Sequence, residues 1–381
     1  MKHFDVKTRI NFGENALERL SELNYRRALF IVDPFIVRTG VIDKLTAYVD
    51  KTGMAWDVFH DVVPDPPLEK ISVGVQKVLE YGPDVLIAVG GGSAIDSTKA
   101  IREVASKMDS SIQPALIAVP TTSGTGSEVT SFSVVSDRAN RRKIPLVSDS
   151  LLPDEAILDV NMVTSVPPMV VADTGMDVFT HALEAYVSIN RNEFSAALSE
   201  KSMELVMGYL MRSYLDNNDV EARDKMHVAS CLAGLAFNSV SLGLNHGMAH
   251  QLGSNFHVPH GRANALLLPV IIEYNSGITA GTKAMDNCPT QVLQYADAAR
   301  RLGLQCFDTV TSVRALAGWI RFMMKEMKMP MSVSETGKCT KEEYFAAIPD
   351  MAKAALADAC TATNPRVPTY DEVVKLYEDL W

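Results

Sequence analysis

The stretch Asp84-Val85-Leu86-Ile87-Ala88-Val89-Gly90-Gly91-Gly92-Ser93-Ala94-Ile95-Asp96 decides the fold class. Its apolar run, residues 85–89, is short and ends in glycine, which fits a strand buried on both faces of a parallel sheet. Three glycines then turn the chain into a helical pattern. Backbone without Cβ atoms can approach a ligand closely. A helix start presents unpaired N–H groups and the positive end of its dipole, which together attract phosphate. Ser93 and Asp96 have capping-box spacing, with Asp in place of Glu. The plain alternative is a tight strand–helix turn. The run is also not G-x-G-x-x-G, because Ile95 stands where the third glycine belongs.

Working outward, residues 28–32 and 115–119 form two further short apolar runs. Between the runs, residues 37–51 and 68–81 show helical spacing of apolar side chains. This alternation predicts a parallel sheet covered by helices on both faces. Phe4, Val6, Thr8 and Ile10 alternate with polar residues, as in an edge strand suited to a dimer contact. Near Ser165-Val166-Pro167-Pro168 the character changes. Two prolines suit a linker and the first turn of a helix. Beyond them strand signals nearly vanish, and residues 196–215 and 221–237 have helical periodicity. The expected organisation is an α/β domain over residues 1–165 and an all-helical domain over 166–381.

Composition narrows the function. The chain has 381 residues, a net charge of −10, 47% hydrophobic and 22% charged residues. Both halves are acidic, which argues against nucleic acid as a partner. The one basic cluster, Arg138, Arg141, Arg142 and Lys143, reads first as a solvated turn. No apolar run is long enough to span a membrane, and the charged N-terminus does not read as a secretory signal. Five scattered cysteines, Cys231, Cys288, Cys306, Cys339 and Cys360, form no C-x-x-C pair, which favours a reducing cytoplasm.

A second glycine-rich segment, Pro120-Thr121-Thr122-Ser123-Gly124-Thr125-Gly126-Ser127-Glu128, also follows an apolar strand. Two such loops at the carboxyl ends of parallel strands converge on the usual ligand crevice and point to a dinucleotide. Asp33 ends an earlier strand, where a carboxylate could bond an adenosine ribose and would repel a 2′-phosphate. That favours NAD over NADP. The alternative for Asp33 is a turn former before Pro34.

Metal chemistry is signalled further on. Asp177 and His181 are four apart on a helical stretch and share a face. His246 and His250 repeat the spacing, and Pro259-His260-Gly261 places another histidine in a turn. A lone histidine is more often a core residue, but this cluster suits a divalent transition metal such as Fe²⁺ or Zn²⁺ rather than Mg²⁺ or Ca²⁺. Gly247 stands where H-E-x-x-H needs Glu, so a hydrolytic zinc site is not signalled.

The stretches GMDVFTHALEAY (175–186) and HGMAHQLGSNFHVPHGRAN (246–264), with GGGSAID and PTTSGTGSE, resemble the iron-containing (group III) alcohol dehydrogenase family over essentially the whole chain. Within it the chain is similar to propanol and ethanol dehydrogenases of propanediol- or ethanolamine-utilisation type. The resemblance implies the dehydroquinate synthase-like two-domain fold, with the active site in the cleft between an α/β dinucleotide domain and a helical metal domain. It implies Asp177, His181, His246 and His260 as metal ligands. His250 matches a histidine near the nicotinamide, a catalytic candidate for relaying the alcohol proton. Gly91, Gly92 and Ser93 match pyrophosphate contacts; Thr121, Thr122 and Thr125 match further cofactor contacts. Asp33, Asp65 and Lys143 match contacts near the ribose, which revises the solvated-turn reading of Lys143. The implied activity is hydride transfer between NAD(H) and a short-chain primary alcohol or aldehyde, in a cytoplasmic homodimer or larger homo-oligomer. Fe²⁺ is the implied metal, with Zn²⁺ as a competitor for the same ligands. Alternatives are a 1,2-propanediol, lactaldehyde or glycerol oxidoreductase and a dehydroquinate synthase-like lyase. The Leu, Met, Ala and Phe residues flanking the ligand segments favour a small, weakly polar alcohol. Phe132, Phe256 and the His257 region are expected to shape the substrate pocket.

Overall fold

In the computed structural model the described residues are 4–137, 142–279, 281–283, 285–304 and 307–381. Arg138, Arg141 and Cys306 lie outside them, as does the side chain of Arg142. The chain divides into two compact units, Met1–Val166 and Pro167–Trp381.

The first unit carries strands β1 (Arg9–Phe12), β2 (Arg27–Val32), β3 (Ala55–Phe59), β4 (Val85–Gly90), β5 (Ala115–Pro120), β6 (Phe132–Asp137), β7 (Arg142–Val147) and β8 (Glu155–Leu158). Its helices are α1 (Pro34–Arg38), α2 (Val41–Asp50), α3 (Leu68–Tyr81) and α4 (Gly92–Met108). Six strands form a parallel sheet in the order β1-β8-β5-β4-β2-β3. The apolar run of β4 is buried throughout because both faces are covered. Val85, Ile87 and Val89 join the core under α2, and Leu86 and Ala88 join the core under α3 and α4.

Three local expectations are corrected. The edge strand is confined to Arg9–Phe12; Val6 lies outside it and is exposed. The helical pattern over 37–51 is broken by Gly40, whose left-handed backbone (φ 70°) separates α1 from α2. The third correction is the antiparallel ribbon β6–β7, absent from the expected elements; it places Lys143 on a strand rather than in a solvated turn.

In the second unit the described residues form no strand. The helices are α5 (Pro168–Val187), α6 (Glu193–Leu215), α7 (Val220–Val240), α8 (Leu244–Phe256), α9 (His260–Ser276), α10 (Thr290–Arg301), α11 (Thr309–Glu326), α12 (Lys341–Ala357) and α13 (Tyr370–Glu378). Pro168 opens α5, where a missing N–H costs nothing. From Val171 onward α5 is buried almost all round, apart from a half-buried Thr174. Two glycines allow this. A Cβ on Gly175 would lie 2.2 Å from Leu210 Cδ1 of α6, and one on Gly261 would lie 2.0 Å from the Asp173 carbonyl oxygen. The backbones of α5 and α9 therefore approach closely beside Asp177 and His260. No single described helix is long and apolar enough to cross a membrane.

Candidate active site

Asp177 and His181 project from one face of α5, His246 from the first turn of α8, and His260 is the first residue of α9 after its cap Pro259. The Pro-His-Gly segment is thus a helix start and not a free turn, because the bare Gly261 seats α9 on α5. One donor atom from each of the four residues lies within 4.8 Å of all the others. Asp177 Oδ1 stands 3.9 Å from His181 Nε2, 3.8 Å from His246 Nε2 and 3.6 Å from His260 Nε2. Four donors about 2.1 Å from one ion stand about 3.4 Å apart in a tetrahedron. The three Asp177–histidine separations exceed that spacing by a few tenths of an ångström, and all four donors stay within 4.8 Å of one another. Three imidazoles and one carboxylate are the donor chemistry of Fe²⁺ or Zn²⁺.

The electrostatics agree. Burial pushes the Asp177 carboxyl up to about 8, against an opposing hydrogen bond from Asn264. Burial also holds His246 well below the usual histidine range. A buried carboxylate is costly alone and favourable beside a cation.

His250 lies one turn beyond His246 on α8, with its ring stacked on His260 at 5.5 Å between centroids. Its Nδ1 pairs with Asp358 Oδ2 at 2.8 Å. Burial alone would raise the Asp358 carboxyl. The hydrogen bond and charge of His250, with the Cys360 N–H, outweigh burial and hold it at about 2.

In the first unit the two glycine-rich loops meet. Thr121 N–H donates to the Gly90 carbonyl at 3.0 Å. A Cβ on Gly91 would sit 3.2 Å from Thr122 Oγ1, and one on Gly92 would sit 2.7 Å from Thr125 Cγ2. Helix α4 starts at Gly92, and no side chain caps it. This corrects the capping-box reading. Asp96 turns inward instead, accepting Ser127 Oγ–H at 2.5 Å and Val134 N–H at 3.0 Å. Lys99 donates to the Thr130 and Phe132 carbonyls at 2.7 and 2.8 Å. The start of α4 carries no side-chain cap, and the turns that follow anchor the neighbouring loop. Asp33, at the end of β2, accepts Phe35 N–H at 2.7 Å and caps α1, so its turn-forming role is realised. Lys143 pairs with Asp65 at 2.6 Å. Phe256 packs on Tyr344, and His257 is an exposed left-handed residue after α8. Phe132 is half-buried on β6.

The residues missed from sequence are Glu184, Asn245, Asn264 and Asp358. Glu184 was legible: it lies seven residues after Asp177 and three after His181, on their face. Asp358 is 108 residues from His250 and carries no spacing signal.

Two family models match the chain: iron-containing alcohol dehydrogenase over residues 7–160, and the C-terminal part of the Fe-containing alcohol dehydrogenase family over residues 171–381. The chain belongs to the iron-containing alcohol dehydrogenase family. It is 41% identical to the 1-propanol dehydrogenase PduQ of Citrobacter freundii, covering all of both chains. It is 34% identical to an NADPH-dependent butanol dehydrogenase of Clostridium saccharobutylicum, over 99% of this chain and 97% of that one. A solved sulfoacetaldehyde reductase of Bifidobacterium kashiwanohense in complex with NAD⁺ superposes with a TM-score of 0.85 at 27% identity, covering 100% and 98% of the two chains. As a member of the iron-containing alcohol dehydrogenases, the protein is an oxidoreductase that interconverts alcohols and aldehydes.

Proposed function

We propose that this chain reduces short-chain primary aldehydes such as propanal to the alcohol with NADH, using Fe²⁺ held by Asp177, His181, His246 and His260. The carrying observation is the convergence of those four donors from three helices. The full-length likeness to a 1-propanol dehydrogenase supports the substrate class. The nicotinamide supplies the hydride, and a divalent ion supplies Lewis-acid stabilisation of negative charge on the substrate oxygen.

The chain's own residues do the rest. Gly91, Gly92 and Ser93 offer backbone N–H groups to the pyrophosphate, with Thr121, Thr122 and Thr125 beside them. Asp33, Asp65 and Lys143 face the ribose. The free oxygen of Asp33 selects NADH over NADPH. Asp358 keeps the proton of His250 on Nδ1, which leaves Nε2 to take up or deliver the alcohol proton. The protein is read as a cytoplasmic homodimer built on the open edge of β1, with residues 1–165 and 166–381 as the cofactor and metal domains.

The test is anaerobic NADH consumption with propanal, comparing chelator-stripped protein with portions reloaded with Fe²⁺ or Zn²⁺. Restoration by Fe²⁺, a preference for NADH over NADPH, and a roughly hundredfold lower kcat in Asp358→Asn are expected. Metal and NADH binding without turnover would reject propanal. A panel of C2–C4 aldehydes, lactaldehyde and glycerol then follows.

A further inference from the structure

Behind the four donors lies a second buried layer. Glu184 is buried on α5, and its carboxylate accepts from three groups in the first turn of α8. These are the Asn245 N–H at 2.9 Å, the His246 backbone N–H and the His246 ring at Nδ1. Helix α8 needs this help because its N-cap is Gly243, which has no capping side chain. The glycine is demanded in turn by the carboxylate, since a Cβ there would lie 2.7 Å from Glu184 Oε1. The Leu244 N–H is taken by Asn364 Oδ1 at 3.1 Å.

On the other side of the His246 ring stands Asn264. Its amide orientation follows from its neighbours. The Asn264 backbone carbonyl accepts from Asn245 Nδ2 at 3.2 Å, and the same Nδ2 donates to Asn264 Oδ1 at 2.9 Å. The Asn264 NH₂ therefore faces the donor set, 2.7 Å from Asp177 Oδ1, 3.0 Å from His246 Nε2 and 3.2 Å from His260 Nε2. An NH₂ group beside Nε2 requires a lone pair on that nitrogen. With the Asn264 NH₂ at Nε2, the ring proton sits on Nδ1, where Glu184 accepts it. That arrangement selects one tautomer of His246.

We propose that Glu184 is a positioning residue for the metal centre: it fixes His246 as the Nδ1–H tautomer and aims the Nε2 lone pair at the ligand set before any ion arrives. This rests on the reading of Asp177, His181, His246 and His260 as ligands. Glu184→Gln separates this task from helix capping. The amide oxygen can still accept the Asn245 N–H. Its NH₂ then meets His246 Nδ1, where two donors cannot face each other, so the ring proton moves to Nε2 and blocks coordination.

Four metal-free proteins decide the matter: wild type, Glu184→Gln, His260→Ala, and Gly243→Ala as a second route to displacing the carboxylate. Zn²⁺ affinity is measured by competition with a chromophoric chelator, stability by thermal unfolding, and ring tautomers by ¹⁵N signals of labelled histidine. For Glu184→Gln the expected result is Zn²⁺ binding weakened about 10–100-fold. Its metal-free Tm should stay within a few degrees of wild type, with one ring converted from Nδ1–H to Nε2–H. Gly243→Ala should weaken Zn²⁺ in the same direction. Unchanged Zn²⁺ affinity, an unchanged ring, or affinity lost only with collapse of the metal-free fold would overturn the proposal. Wild type binding Zn²⁺ no better than His260→Ala would instead sink the ligand assignment. The tautomer signal would then still report on Glu184 alone.

Discussion

In the N-terminal unit the proposed pyrophosphate contacts come from two runs of contiguous chain at the ends of β4 and β5. In the helical unit four donors come from α5, α8 and α9, separated by up to 83 residues from Asp177 to His260. The first arrangement works through backbone N–H groups and bare glycines. Its geometry follows once the parallel sheet forms, because strand ends and helix starts are fixed by the sheet. The second works through side-chain atoms, and each atom must be held by something else. Asp177 is held by Asn264, His246 by Glu184 and Asn264, and His250 by Asp358. Backbone sites tolerate side-chain change and resist added volume. Side-chain sites tolerate added volume poorly too, but fail first when a donor changes charge or tautomer.

The largest effect should come from the donor that carries the charge. Asp177→Asn keeps the volume and removes the carboxylate. Metal-supported stabilisation of a developing oxygen charge is worth several kcal/mol, so kcat with propanal should fall by about 10³-fold or more. Metal content should fall in parallel, whereas NADH binding, followed by fluorescence, should stay near wild type. A parallel loss of NADH affinity would break the contrast between the units.

That contrast also explains what could be read from sequence. The strand–glycine–helix succession of residues 84–96 and the helix over 68–81 are local patterns, and the structure reproduces both. The i, i+4 pairs at Asp177/His181 and His246/His250 needed only a helix to share a face. The break at Gly40 was hidden because apolar spacing continues across it. The inward turn of Asp96 was hidden because Ser127 and Val134, 31 and 38 residues away, decide it. Asp358 and Asn264 stayed out of the reading for the same reason: their value lies in what they touch, and only packing brings the partner.

A middle-sized effect is expected from volume at the backbone site. In Gly92→Ala the new Cβ would lie 2.7 Å from Thr125 Cγ2, so the second loop must shift. Overpacking of this kind costs about 1–3 kcal/mol, or about 5–150-fold when it falls on NADH affinity. The Kd for NADH should rise by a factor in that range, measured by fluorescence titration, with Zn²⁺ or Fe²⁺ content unchanged. Weakened metal loading in this variant would show that the two sites are not separable.

The smallest effect concerns Glu128, buried at the end of the second loop and unused by the chemistry above. Burial pushes its carboxyl up to about 7, opposed by a backbone hydrogen bond and by the charge of Lys99. Below about pH 4.5 the carboxyl is protonated in both folded and unfolded chains and has no pH-dependent effect. Between that point and about pH 7 the folded chain holds the proton that the unfolded chain has lost. Stability from this group therefore falls as pH rises through the window. Glu128→Gln removes the ionisation and keeps the shape. The variant should match wild type near pH 5 and exceed it at pH 8 by about 1–3 kcal/mol, a few degrees in Tm for a chain of this length. The comparison is best made with metal-loaded protein, so that the helical unit is held constant. A variant less stable than wild type at pH 8 would mean that the ionised carboxylate has a compensating role beside Lys99, and that the polar interior of the α/β unit depends on side-chain charge as the helical unit does.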